Sequence, residues 1–396
     1  MNFANYLLKD LKEKHGYTHC FFVAGGNIMH LLDSARNLLT CVPVINEVAA
    51  GIAAEYFNET NSGGRKAFAL VTAGPGLTNI VTAIAGAYLE GRELLVIGGQ
   101  VKSSDLKTSN LRQKGIQEID GKSIVEPITS NSIRLFEPIN SLEIKNLLLV
   151  RGKPGPVFVE IPLDVQAQVA PLEQSLQEPN LKVPPVKENN EFVTGLIKEL
   201  GVSRRPILLL GGGLSRESSK KHLNSLRGCG IPIMTTWNGM DRYGSEEPNY
   251  WGRPNTWGQR SSNILIQQSD LLIAIGTRLG LQQTGFAWQQ FAPLAKIFQV
   301  DIDENELNKG HPDIADGLVG DASEFLAELI KNIENEHFNY SDWLSFGNKV
   351  LKYFPLNEKH NLTNDSYVSP YEFVEILSDI CSSSDVVIPC SSGGAF

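Results

Sequence analysis

Ala67-Phe68-Ala69-Leu70-Val71-Thr72-Ala73-Gly74-Pro75-Gly76-Leu77-Thr78-Asn79 decides the fold class of this 396-residue chain. Residues 67–71 are apolar without a break, which predicts a strand covered on both faces, as in a parallel sheet. A glycine–proline–glycine turn stops the run, and a long apolar helix follows from Leu77 to about Leu89. Such a strand-turn-helix unit directs backbone N–H groups to the carboxyl edge of a parallel sheet, where α/β proteins bind ligands. Glu47 sits at an equivalent edge upstream. Residues 42–45 (Val-Pro-Val-Ile) read as a strand and residues 48–52 (Val-Ala-Ala-Gly-Ile) as the start of a helix.

The same alternation extends in both directions. Further short apolar runs at 21–23, 94–97 and 157–161 complete a first α/β domain over residues 1–165. Residues 166–190 show little periodicity and hold four prolines, so they read as an extended linker. Runs at 206–210, 232–235, 271–275 and 296–300 place a second α/β domain at 191–333. The fold class is therefore α/β, with doubly wound parallel sheets in two complete domains. Residues 334–396 read as a polar connection, about 339–369, and the start of a third domain. Its parts are a helix from Pro370, a strand Asp385-Val386-Val387-Ile388-Pro389 and an edge turn Ser391-Ser392-Gly393-Gly394.

Two glycine motifs are weaker than they look. Gly211-Gly212-Gly213 follows a strand, but the third glycine of a dinucleotide fingerprint falls on Arg216, which predicts a tight packed turn instead. Gly320-Asp321-Ala322-Ser323 lacks a second glycine, and Asp321 reads as a helix N-cap.

Composition excludes several classes. A net charge of −9 argues against nucleic acid or an anionic membrane as the main partner. No run approaches the ~18–20 apolar residues of a membrane helix. Lys9, Asp10, Lys12 and Glu13 interrupt the N-terminal apolar stripe, so it does not read as a signal peptide. The five cysteines are odd in number and unpaired by any C-x-x-C spacing, and the seven histidines show no H-E-x-x-H. These features suit a reducing cytoplasm and give no zinc site. Cys390 reads as a small buried strand residue.

Six ordered segments carry a family resemblance: Val23-Ala24-Gly25-Gly26, Asn46-Glu47-Val48-Ala49-Ala50, Gly74-Pro75-Gly76-Leu77-Thr78-Asn79, Gly98-Gly99-Gln100-Val101, Arg112-Gln113-Lys114-Gly115-Ile116-Gln117-Glu118 and residues 155–162. In this order they resemble the thiamine-diphosphate-dependent acetolactate synthase-like family. Thr236-Trp237-Asn238-Gly239, Gly276-Thr277-Arg278 and Asp301-Ile302-Asp303 resemble its middle domain.

The resemblance implies an enzyme, a carboligase or lyase that acts on a 2-oxo acid such as pyruvate. It implies thiamine diphosphate and Mg2+ as cofactors and a homodimer or homotetramer as the assembly. Glu47 stands where the family's activating glutamate hydrogen-bonds the aminopyrimidine ring, and Gln117 where a glutamine faces the substrate. Gly25, Gly26, Thr72, Gly74, Pro75 and Asn79 would line the cofactor edge of the first domain, and Ser391, Gly393 and Gly394 that of the third.

The residues alone leave alternatives open. Glu47 also suits a helix N-terminus, Gly25 and Gly26 an ordinary turn, Thr72 and Asn79 a core hydrogen bond, and Gln117 a solvated loop. Asn46 replaces the histidine common in relatives, and no histidine pair lies near Gln117, which tilts the reading toward carboligation. The family's magnesium ligands, a Gly-Asp-Gly turn and a downstream asparagine of the third domain, have no counterpart here, so no metal ligand is assigned. FAD in the middle domain stays open, because Leu279-Gly280-Leu281-Gln282-Gln283 departs from the family pattern after Arg278. The chain thus reads as an enzyme interrupted early in its third domain and inactive alone. A fragment, half of a split enzyme or a non-catalytic assembly module are the ways to account for its length.

Overall fold

The computed structural model describes residues 1–61, 63–108, 110–149, 153–171, 190–334, 336–363, 366–382 and 384–387. The chain divides into two compact units, Met1–Leu181 and Lys182–Phe396.

The first unit is built on six parallel strands: β1 (Tyr17–Phe22), β2 (Thr40–Pro43), β3 (Lys66–Val71), β4 (Leu94–Gln100), β5 (Asn131–Arg134) and β6 (Pro156–Pro162). Their spatial order is β2-β1-β3-β4-β6-β5. The four longest of its helices cover much of the faces: α1 (Phe3–His15), α2 (Met29–Leu38), α3 (Glu47–Thr60) and α4 (Pro75–Glu90). Alternation along β3 shows why residues 67–71 have no polar position. Phe68 and Leu70 pack with Phe3, Leu7, Leu8 and Leu31 of α1 and α2. Ala67, Ala69 and Val71 pack on the opposite face with Ala50, Ala54, Leu77 and Ile80 of α3 and α4. Both faces are dry, so both parities must be apolar. Burying each of the larger side chains contributes about 1.5–3 kcal/mol.

Local chemistry starts the helices that face the carboxyl edge. Asn46 caps α3, its side chain accepting from the N–H of Val48 at 2.7 Å. Pro75 opens α4 at its first position, where the missing N–H costs nothing.

The second unit is a five-stranded parallel sheet of order β11-β10-β9-β7-β8. Its strands are β7 (Pro206–Leu210), β8 (Ile233–Thr235), β9 (Leu271–Ile275), β10 (Lys296–Asp301) and β11 (Asp316–Val319). The helix Ala322–Ile333 is capped by Asp321, whose carboxylate accepts from the N–H groups of Ser323 and Glu324, so that aspartate is used as a cap.

Several elements differ from expectation. Asn-Ser-Ile-Arg and Asp-Gly-Leu-Val escaped notice because β5 and β11 are edge strands, half open to solvent and without an apolar run. The second strand was expected at 42–45 but pairs over Thr40–Pro43; Ile45 is fully exposed, so its apolarity is not a strand signal. The expected polar connection contains a helix, Ser341–Tyr353. Its Trp343 is buried in the second unit's core, edge-on to Trp251 with centroids 5.0 Å apart, and its indole N–H donates to the Pro206 carbonyl at 3.1 Å. Gly347 admits the Trp251 ring, since a Cβ there would lie 2.0 Å from it. Residues 385–387 form no strand, and Ile388, Pro389, Cys390, Ser391, Gly393 and Gly394 lie outside the described residues. The first unit closes with the helix Leu163–Ala167, inside which the expected linker begins, and residues 172–189 are likewise outside the description. Among the described residues no helix is long and apolar enough to cross a membrane.

Candidate active site

Glu47 is the first residue of α3 and is only 8% exposed. Its Oε2 accepts a hydrogen bond from Asn79 Nδ2 of α4 at 2.9 Å. Its Oε1 carries no hydrogen bond among the described residues. The helix starts after β2 and β3, strands with β1 between them, thus share one polar contact, which neither segment discloses alone.

Thr72, directly after β3, is the hub of the next contacts. A Cβ on Gly76 would lie 3.0 Å from Thr72 Cγ2 and 3.3 Å from Glu47 Oε1, so the bare glycine leaves space beside the carboxylate. A Cβ on Gly25 would lie 2.4 Å from Thr72 Cβ, and Thr72 Oγ1 accepts from the N–H of Asn27 at 3.4 Å. Gly26 behaves differently: nothing stands within 4 Å of where its Cβ would be. Gly25 is therefore a packing glycine, and Gly26 borders open space.

Gly74 has φ 67° and ψ −120°, a conformation open to glycine and strained for every other residue. Its face is covered by Gln117, whose carbonyl oxygen would stand 2.7 Å from an added Cβ. Gln117 itself adopts φ 61°, a left-handed backbone that costs a side-chain-bearing residue about 1 kcal/mol or more. Its side chain is exposed at this edge. Pro75 is also exposed and only starts α4.

Behind the loop of Gln117 lie charged groups that sequence inspection passed over. Glu160 of β6 is fully buried; Gln100 Nε2 donates to its Oε1 at 2.9 Å and Arg134 pairs with its Oε2. Gln100 also donates to the Ile119 carbonyl at 2.8 Å, and Arg134 reaches Asp120 at 2.9 Å. Burial pushes the Glu160 carboxyl up, against the opposing pull of Arg134. The available signal was a charged residue inside an apolar strand, Val157-Phe158-Val159-Glu160-Ile161, which demands a partner.

The glycine-rich turn of the second unit is closed. Gly211 N–H donates to Ile275, Gly213 N–H to Gly276 and Leu214 N–H to Gly211 within the turn region, while Arg242 donates to the carbonyls of Gly212 and Leu214. As a phosphate cradle this turn fits poorly, since the N–H groups of Gly211, Gly213 and Leu214 are already used. No trio of His, Cys, Asp or Glu among the described residues is arranged to hold a metal ion.

Residues 1–124 match the family described as thiamine pyrophosphate enzyme, N-terminal TPP binding domain, and residues 193–329 match thiamine pyrophosphate enzyme, central domain. The chain belongs to the thiamine pyrophosphate enzyme family. Within it the chain is acetolactate synthase-like. It is 30% identical to an acetolactate synthase of Mycobacterium bovis over 401 residues, covering 97% of this chain and 62% of that protein. It is 32% identical to an acetolactate synthase large subunit of Corynebacterium glutamicum over 348 residues, 85% of this chain and 54% of the relative. With the acetolactate synthase isozyme 1 large subunit of Escherichia coli, identity is 31% over 329 residues, 81% and 56% of the two chains. The chain therefore spans roughly three fifths of the relatives it matches.

The first unit's residues fit the ring half of thiamine diphosphate in chemical kind. They offer a buried carboxylate with one oxygen uncommitted, a glycine-lined space beside it, and an open edge at Gly26.

Proposed function

We propose that this chain forms part of a thiamine-diphosphate-dependent carboligase or lyase acting on a 2-oxo acid, with pyruvate as the donor to test first. The observation that carries the reading is Glu47: a carboxylate 8% exposed, held through Oε2 by Asn79, with Oε1 directed beside Gly76. Bound thiamine diphosphate supplies the electron sink that allows a 2-oxo acid to lose carbon dioxide and its acyl carbon to pass to a second carbonyl compound.

The chain's own residues have separable tasks. Asn79 fixes the Glu47 carboxylate by engaging one oxygen, leaving Oε1 as the proton acceptor offered to the aminopyrimidine ring. Burial strengthens that hydrogen bond by excluding competing water. Gly26 and Gly76 leave backbone open beside the ligand, Gly25 and Gly74 let the edge pack on Thr72 and Gln117, and Gln117, on the rim, is placed to meet the substrate. Asn46 is committed to its cap on Val48, which supports a positioning role for it.

Magnesium is the expected counter-ion of the diphosphate, and a homodimer or homotetramer the expected assembly. A cytoplasmic setting agrees with the free thiols of Cys20, Cys41, Cys229 and Cys381. No step is assigned to FAD. The test is calorimetric titration of the 396-residue chain and of Glu47→Gln with thiamine diphosphate and magnesium, together with 2-oxo acid turnover by the gene's full-length product. Glu47→Gln is expected to lower turnover by at least about a hundredfold, the scale of a lost acid–base group. Unchanged turnover in Glu47→Gln, or no turnover by the unsubstituted full-length protein, refutes the reading.

A further inference from the structure

Glu118 follows Gln117 but has the opposite exposure: Gln117 is open to solvent, whereas Glu118 is 6% exposed. Its carboxylate faces backbone alone. Oε1 accepts from the N–H of Lys107 at 2.6 Å, and Oε2 from the N–H groups of Lys114 and Gly115 at 2.8 and 3.1 Å. One side chain thus ties both ends of the segment 107–115 to residue 118. Packing completes the closure, because a Cβ on Gly115 would lie 2.7 Å from Val101 Cγ2. The far side of the loop is held separately, through Gln100 on the Ile119 carbonyl and Arg134 on Asp120. Between these two anchorages stands Gln117, with its left-handed backbone against Gly74.

We propose that Glu118 is a positioning residue of the active site: its carboxylate ties the backbone of Lys107, Lys114 and Gly115 to residue 118 and so seats Gln117 on the Gly74 turn at the start of α4. The proposal rests on the reading of the Glu47–Gly74–Gln117 edge given above. Strain at φ 61° persists only where surrounding structure over-determines it, and three charge-assisted bonds to one carboxylate supply that determination. Burial raises the tendency of Glu118 to hold a proton. The N–H groups of Lys107, Lys114 and Gly115 and the nearby Lys107 charge outweigh it, holding the carboxyl below the usual glutamate range. The clamp is therefore complete at neutral pH and is lost only as pH falls through that lowered value.

The test is amide hydrogen exchange by mass spectrometry on the chain as it exists, comparing wild type, Glu118→Gln and Glu118→Asp. Wild type should protect the amides of Lys107, Lys114 and Gly115 down to pH values below the usual glutamate range. In Glu118→Gln their exchange should rise about tenfold or more, the effect expected from weakening hydrogen bonds to a charged acceptor, and acid should no longer change their protection once the intrinsic pH dependence of amide exchange is divided out. The decisive amide is Thr78, which donates to the Gly74 carbonyl at 3.0 Å. If Glu118 positions the turn, Thr78 exchange rises together with the loop, and Glu118→Asp partly restores both. Loop loosening with Thr78 unmoved would leave Glu118 a local brace and overturn the proposal, as would equal exchange in all three proteins. A full-length gene product without affinity for thiamine diphosphate and magnesium would overturn the reading of the site instead, and the exchange arm is read independently of that result.

Discussion

Replacing Gly74 by alanine should be among the most costly single-methyl additions in the first unit. Gly74 holds φ 67° and ψ −120°, so a side chain brings backbone strain of about 1–3 kcal/mol. The added Cβ also meets Gln117, 2.7 Å from its carbonyl oxygen and 2.8 Å from its Cβ, and overpacking of this kind costs about 1–3 kcal/mol more. Neither neighbour yields freely, because Gln117 is tied through residue 118 to three backbone amides. At a total of about 3 kcal/mol, the melting transition of a unit this size falls by about 6–12 °C. The two units must be separated in the assay, since a single two-state transition does not apply. All five tryptophans, Trp237, Trp251, Trp257, Trp288 and Trp343, belong to the second unit. Tryptophan fluorescence therefore reports that unit, and calorimetry reports both. Gly74→Ala should shift the calorimetric transition that fluorescence does not follow. A shift below about 2 °C, or one confined to the fluorescence transition, would refute the strain argument.

Asn79→Ala should destabilise the first unit by about 1–3 kcal/mol, because Glu47 Oε2 keeps its burial and loses its donor. Asn79→Asp, which sets a second carboxylate against the first, should cost more in the same calorimetry. In the second unit, Asp270 accepts from Ser203 Oγ at 2.5 Å and from the N–H groups of Arg204 and Arg205 at 3.0 and 2.9 Å. Burial pushes its carboxyl up, but these donors and the Arg205 charge outweigh it and leave the group below the usual aspartate range. The stability it confers is present above the unfolded-state value of about 3.9 and is lost as pH falls through the lowered folded value. Asp270→Asn should flatten the acid limb of a fluorescence-monitored unfolding profile in that window, and an unchanged limb would count against the assignment.

Sequence alone determined the parallel α/β architecture, because a strand dry on both faces must be apolar at both parities, and residues 67–71, 94–97, 206–210 and 271–275 are. It also marked the edge turns, since Gly74-Pro75-Gly76 announces a strand end and a helix start whatever surrounds it. The elements it missed have no such local signature. Edge strands β5 and β11 owe their state to a neighbour's hydrogen bonds, and the helix Ser341–Tyr353 owes its placement to Trp343 against Trp251. Read singly, Glu47 was one more acidic residue at a helix start; the tertiary structure set it against Asn79, 32 residues away, and beside Gly76. Glu118 and Glu160 stood in the quoted segments, but only folding shows that one accepts three amides and the other an arginine. The physical reason is common to both: apolar patterning is a property of neighbours along the chain, whereas the partner of a buried charge is set by how the chain folds back, across adjacent strands for Glu160 and around a loop for Glu118.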